Sequence, residues 1–587
     1  MLHLRNRTRL AVVATLWCSA AFAANVSVDA RYDRAPISPD IYGLVLGDDA
    51  QVSRMGVTVR RHGGNTLSRY NWKTSTTNTG GDGKFFRTVP QEKGNASNSA
   101  DNFVQVNKAA NARSMIEVPS IGYVTQPLSA SSKCGFKVSK YGPQQQVSPQ
   151  DPECGNGVKP DGSLIGGNDP LDTSIPATQA WSTEWVAHLV ATFGTAANGG
   201  VRFYNLSNQP ALWHETHRDI HPARATYAEV KAALEKHGKA VKDADPSALT
   251  LGPAAWGWLE YFDSAANDRA SAGVDFIPFY LQQAKGYEAA NNRRILDYLD
   301  VHVYPQAEGV ALDAGTAPSA NEMRLRSTRI LWDPSYTVES WEACCYGGVI
   351  NLIPRMKEWV ARYYPGTKLA ISGYAWGLID SPSGALAQVD VLGIFGREGL
   401  DLATLEDPPA PNGLGEDAFK LYRNYDGAGS KFGDTSIRAR SGEPLLATFA
   451  AFDSARVTTV LVNKSPSAPN PATITFTGMG QSGPYRAFQF SAGGRLRPAG
   501  AGSVTNGALT ISLPPYSATL VEFVPEGGVG AAEIDPNAGN TTNPDGGTVV
   551  YPPDDPDGCN CSQVHLGVLS FAALALFGLL RRRRTSR

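Results

Sequence analysis

Four stretches of this 587-residue chain gather the side chains that could do chemistry. They read RRHGGNTLSRYNW (Arg60 to Trp72), YNLSNQPALWHETHRDIHP (Tyr204 to Pro222), LDVHVYPQ (Leu299 to Gln306) with LWDPSYTVESW (Leu331 to Trp341), and KLAISGYAWG (Lys368 to Gly377). Aromatic rings stack on apolar C–H faces while amides and imidazoles bond hydroxyl groups, and sugar rings ask for both functions at once. What the stretches lack is a pair of carboxyl groups in matching places. Gln209 stands between Asn208 and Pro210, and Gly373 between Ser372 and Tyr374. Glu215, Asp219, Glu339 and Glu342 lie in or beside the same stretches, and each reads first as a solvated or structural charge.

The elements that must position these residues follow from hydrophobic period. Short β-branched runs alternate with amphipathic stretches across residues 39–430. Gly56 to Arg61, Ser114 to Val118, Val201 to Leu206, Leu249 to Gly252, Asp297 to Val303 and Lys368 to Ser372 read as strands. Trp181 to Phe193, Ala223 to Val241 and Ile353 to Tyr363 read as helices. That alternation predicts an α/β fold, a (β/α)8 TIM barrel with insertions. Residues 431–525 change to short alternating strands (Leu445 to Phe452, Val457 to Val462, Ala472 to Phe476, Tyr485 to Phe490, Thr519 to Val524), the texture of an antiparallel β-sandwich. Residues 24–38, alternating at Val26, Val28 and Ala30, read as an N-terminal strand of that sandwich.

The formal net charge of −2 and the lack of a basic cluster away from the two ends exclude nucleic acid as an expected partner and favour a neutral ligand. Residues 1–23 have the form of a secretory leader: Arg5, Arg7 and Arg9, an apolar run from Leu10 to Ala21, and cleavage after Ala23. In the exported chain Cys134 and Cys154, inside a Gly/Pro/Ser-rich insertion, are expected to form a disulfide. The adjacent Cys344 and Cys345 could be bridged or free. Residues 526–558 carry Gly, Pro, Asn and Asp but no Lys or Arg, and read as a self-repelling linker. Residues 559–587 add Cys559 and Cys561, an apolar run from Leu566 to Leu580, and the cluster Arg581 to Arg584. This order resembles the tripartite sorting tails of surface proteins in myxobacteria and related Gram-negative bacteria, which implies attachment to the cell surface or outer membrane, with the Cys559/Cys561 pair as the anchoring point.

Taken together and in order, the four stretches resemble glycoside hydrolase family 44, whose members are mostly endo-β-1,4-glucanases and xyloglucanases built as a barrel with a β-sandwich. The resemblance implies a polysaccharide ligand, β-glucan-like, and no organic cofactor; some members hold a structural Ca²⁺, whose ligands cannot be placed in this sequence. It aligns the family's acid/base Glu with Gln209 and its nucleophile Glu with Gly373, so no catalytic residue carries over. A retaining glycosidase needs two carboxyl groups about 5 Å apart, one to protonate the leaving oxygen and one to attack the anomeric carbon. Gln209 has no transferable proton near neutral pH, and Gly373 has no side chain. Ligands of such barrels meet the C-terminal strand ends, where the resemblance sets Asn65, Trp72, Asn208, Gln209, Trp213, His302, Tyr304, Trp332, Tyr374 and Trp376 as the sugar-contacting set. The sequence therefore predicts a secreted, surface-anchored pseudoglycosidase that binds a β-glucan or another polysaccharide without cutting it. Two alternatives stand beside it: hydrolysis by relocated carboxylates, and a protein-interaction or structural role with a vestigial cleft. Reinstating both glutamates is expected to restore some turnover.

Overall fold

The computed structural model describes residues 23–311, 315–467 and 471–533. The eight barrel strands, in chain order, are Gly43–Val45, Val59–His62, Arg113–Glu117, Phe203–Asn205, Leu249–Ala255, Tyr298–Val303, Lys368–Tyr374 and Leu402–Leu405. Each pairs in parallel with the next and the last closes on the first. Helices such as Gln179–Phe193, Tyr227–Ala244 and Pro382–Arg397 cover the outside, so strands such as Tyr298–Val303 are buried at every position. The first and last strands are short, and the sequence reading did not find them.

Period-two alternation builds the barrel interior in layers. Val59, Met115, Phe203, Leu251, Tyr298, Ala370 and Leu402 form an apolar plug with one residue from each of the last seven strands. Two positions further along, the same faces carry Arg61, Glu117, Asn205, Asp300, Ser372 and Thr404, and His302 follows Asp300 by two more. All seven are buried. A polar floor thus lies on an apolar plug, directly beneath the C-terminal mouth.

The seventh strand breaks the alternation. Asp300 pairs with Ala370, whereas His302 pairs with Gly373, so the seventh strand carries one extra residue. Such a bulge reverses the facing of everything after it. Gly373 turns toward the mouth, and Tyr374 turns into the helix layer.

The second domain is one ten-stranded, mostly antiparallel sheet that folds over its own core of Val26, Val28, Leu461, Ile474, Phe476, Val521 and Phe523. Ala24–Asp29 joins its two halves, antiparallel to Thr435–Ser441 and parallel to Ala472–Thr477. Helix Pro382–Arg397 seats the barrel on this sheet. Gly393 permits the approach, since a Cβ there would lie 2.3 Å from the Phe449 ring, and Lys464 reaches Asp390 at 2.7 Å.

The docked chain runs past the expected sandwich boundary at 525. Val529 bridges Met479, Gly530 N–H donates to Gly478 O at 2.9 Å, and Glu533 lies 3.6 Å from Arg31. Cys134 and Cys154 are bonded to each other, and Cys344 and Cys345 are both in disulfide linkage. The leader, most of the acidic linker and the Cys559 to Arg587 tail lie outside the described residues.

Candidate functional site

The mouth is built from the loops that follow the strands. Asn208 and Gln209 follow the fourth strand. Gln209 takes a left-handed φ of +48°, held by its N–H on Ala254 O at 3.0 Å, and Pro210 then starts a short helical turn. Asn208 is fixed on three sides: its Oδ1 accepts from Arg61 Nη2 at 2.6 Å, its Nδ2 donates to Asn65 Oδ1 at 2.6 Å, and its carbonyl accepts from Trp213 Nε1 at 2.9 Å.

The two positions where carboxyl groups are absent meet at His302. Gln209 Nε2 donates to His302 Nδ1 at 2.9 Å, so the imidazole proton resides on Nε2, 3.1 Å from Ser372 Oγ. Ser372 Oγ in turn donates to Asp300 Oδ2 at 2.7 Å. Burial, with Arg61 nearby, drives the His302 pKa well below its ordinary value, so the ring is neutral. At Gly373 a Cβ would lie 2.6 Å from Tyr304 Oη, 2.8 Å from His302 Nδ1 and 2.9 Å from its Cε1. The space that a side chain at position 373 would need is therefore taken by an imidazole and a phenol.

Carboxylates remain around this centre, mostly committed. Arg61 donates to Ser372 O at 3.1 Å and stands 3.7 Å from Glu117 and 3.9 Å from Glu406. Glu117 accepts from Gly64 N–H at 2.7 Å and Ser68 Oγ at 2.8 Å; burial still pushes it up to about 7. Glu260 accepts from Ala211 N–H at 3.0 Å and from Trp256 N–H, and burial raises it to about 7. Glu342 holds Ser340 Oγ at 3.0 Å. Asp219 is spent on Arg69 at 2.8 Å, and Glu339 on Arg326 at 2.6 Å. Glu215 lies outside this network, beside His214 at 3.6 Å.

Two carboxylates are less committed. Glu406 follows the eighth strand with a side chain 35% exposed, and burial, against Arg61, raises it to about 7. Asp82, in the loop after the strand Thr76–Asn78, faces Asn65 and is raised to about 6 by burial. Neither was singled out in the sequence. Glu406 ends a strand too short to recognise, and no local pattern marks Asp82.

Of the expected sugar-contacting set, the fold gathers Asn65, Asn208, Gln209, His302 and Tyr304 at the mouth. The structure places the other five in contacts within the fold. Tyr374 is buried behind the bulge, its hydroxyl accepting from Gln388 Nε2 at 2.9 Å and its ring against Phe395. Trp376 is buried with Nε1 on Ser327 Oγ at 3.2 Å. Trp213 is buried beneath Asn208. Trp72 stacks on His188 of helix Gln179–Phe193 at 4.5 Å, and Trp332 carries the Arg397 guanidinium at 4.3 Å. Near the mouth, Trp256, Trp258, Tyr261 and Tyr304 line a small recess with Gln306 and Glu342. Among the described residues no group of three or more His, Cys, Asp or Glu is arranged to hold a metal ion.

Known proteins share this architecture. The model of glycoside hydrolase family 44 matches residues 76–307. Endoglucanase A of Paenibacillus lautus is 30% identical over 558 residues, covering 88% of this chain and 76% of that protein. The bifunctional glucanase-xylanase CelM2 from a metagenome library superposes with a TM-score of 0.82 at 36% identity, over 86% of this chain and 99% of that one. A Paenibacillus polymyxa xyloglucanase of family 44, solved with xyloglucan, gives a TM-score of 0.73 at 27% identity, over 86% and 100% of the two chains.

Proposed function

The chain belongs to glycoside hydrolase family 44, and from that premise we propose that it is a non-hydrolysing, polysaccharide-binding member, exported and held at the cell surface. The observation that carries this reading is the substituted pair. An amide stands where the leaving oxygen would be protonated, and at Gly373 the missing carboxylate's space is closed by His302 and Tyr304. Loss of such groups costs about 10²–10⁴ each in rate. The polar mouth survives that loss, since Asn65, Asn208, Gln209 and Tyr304 still offer hydrogen bonds to hydroxyls. The secretory leader and the Cys, apolar and Arg order of the tail support the surface location.

Hydrolysis by relocated acids is the second reading. It rests on Glu406 and Asp82, the two carboxylates of the mouth that are not tied into the fold. Calorimetric titration with xyloglucan and cello-oligosaccharides separates the two. Heat that saturates and returns to baseline is the expected result. Continuing heat, abolished by Glu406→Gln or Asp82→Asn, would overturn the non-hydrolysing reading.

A further inference from the structure

We propose that the mouth takes a β-1,4-linked amino sugar polymer, seating a protonated 2-amino group between Glu406 and Asp82. This rests on the polysaccharide-binding reading and narrows its ligand from a neutral to a cationic chain of the same linkage. The argument begins with a local charge count. Arg61 is the buried cation of the mouth, and Glu117, at 3.7 Å and fixed by Gly64 and Ser68, balances it. Glu406, 3.9 Å from the same guanidinium, is left in excess. Asp82 has Asn65 beside it and no basic side chain acting on it. Both carboxylates border the same pair of residues, Asp82 against the Asn65 side chain and Glu406 Oε1 3.7 Å from where a Cβ on Gly64 would lie.

A second observation concerns the direction of the free hydrogen-bonding groups. Gln209 is only 8% exposed; its Nε2 is committed to His302, and its Oε1 accepts from no described residue. The Glu406 carboxylate likewise accepts no hydrogen bond among the described residues, and Tyr304 Oη has none. Gln209 Oε1 and the ionised Glu406 carboxylate can only accept, while Tyr304 Oη can do either. A glucose hydroxyl brings one donor and lone pairs that need donors in turn; an ammonium brings three donors, no acceptor and a balancing charge. A bound cation also relieves the repulsion that Asp407, Asp82 and Glu117 exert on Glu406.

The test is calorimetric titration of the intact protein with fully deacetylated glucosamine hexamer and with cellohexaose, near neutral pH, where the two carboxylates carry charge, and at low and high salt. The hexamer is expected to bind about tenfold or more tightly than cellohexaose, as a charge-assisted contact would provide, with the preference shrinking as salt rises. The Glu406→Gln/Asp82→Asn variant, checked for cooperative unfolding at a melting temperature no lower than that of the unaltered protein, is expected to lose the preference. Equal or tighter binding of cellohexaose by the unaltered protein, or a preference that survives in the variant, would overturn the amino-sugar assignment alone. Competition by spermidine as strong as by the hexamer would also overturn it, reducing the site to a bare cation site. Binding of neither oligosaccharide would remove the polysaccharide-binding reading and this inference with it.

Discussion

Gly373→Ala and Gly373→Glu test whether position 373 is an open space or only a missing side chain. The first atom of any side chain at this position meets Tyr304 Oη at 2.6 Å and the His302 ring at 2.8 and 2.9 Å. Tyr304 Oη is the end of a side chain and can swing, whereas His302 is buried and held from both sides by Gln209 and Ser372. Overpacking of this kind costs about 1–3 kcal/mol. A glutamate that also displaces the imidazole forfeits two hydrogen bonds at about 1 kcal/mol each, for a total of about 3–5 kcal/mol. Urea unfolding should show the alanine loss, a larger glutamate loss, and partial recovery when Tyr304→Phe removes the nearest atom. In the same preparations Gln209→Glu/Gly373→Glu should release no reducing sugar from xyloglucan above background, contrary to what the alignment of the two positions alone suggests. Gly373→Ala with an unchanged urea midpoint, or turnover by the double variant, would refute the packing argument.

Glu406→Gln should raise the melting temperature above that of the unaltered protein at pH 8 and leave it unchanged near pH 4. The folded form binds the proton up to about pH 7, and the unfolded form only to the ordinary carboxylate range. The folded state is therefore penalised progressively as pH rises through that window. Arg61→Met should cost about 3–5 kcal/mol in denaturant unfolding, because it strands the buried Glu117 charge, and Arg61→Met/Glu117→Gln should regain most of that. Replacing Cys134 and Cys154 by serine opens a link across 20 residues and should cost about 3 kcal/mol, with limited proteolysis cutting first between residues 126 and 176.

The barrel was legible because its strands are long β-branched runs between helices, and the runs at Arg113–Glu117, Leu249–Ala255 and Tyr298–Val303 carry enough residues to show a period. Gly43–Val45 and Leu402–Leu405 do not, and with the last strand went Glu406. The sandwich strands were visible for the same reason as the barrel's, including the N-terminal one, whose Val26 and Val28 alternate cleanly. The site was half legible. Gln209 and Gly373 are neighbours in function that sequence order could name, but whether Gly373 leaves a hole depends on His302 and Tyr304 from another strand. One extra residue in the seventh strand, a bulge with no sequence mark, turns Tyr374 into the helix layer, and Trp72, Trp213, Trp332 and Trp376 serve contacts that only the fold reveals. Asp82 reaches the mouth from a hairpin loop more than a hundred residues before Gln209, a relation no spacing encodes.

The strand Ala24–Asp29 is the first part of the described chain to be synthesised, yet Val26 finds its partners at Ser441 and Ile474, about four hundred residues later. The barrel can close when Leu402–Leu405 reaches Gly43–Val45, while the remainder is still being made. The second domain cannot, since the strand bridging its two halves waits exposed until the last part of the chain arrives. A messenger cut short before residue 472 would therefore yield a sealed barrel trailing two sticky edges, the N-terminal strand, which lacks Ala472–Thr477, and Val457–Asn463, which lacks Ser517–Phe523. Quality control for this protein is a matter of its far end reaching its beginning.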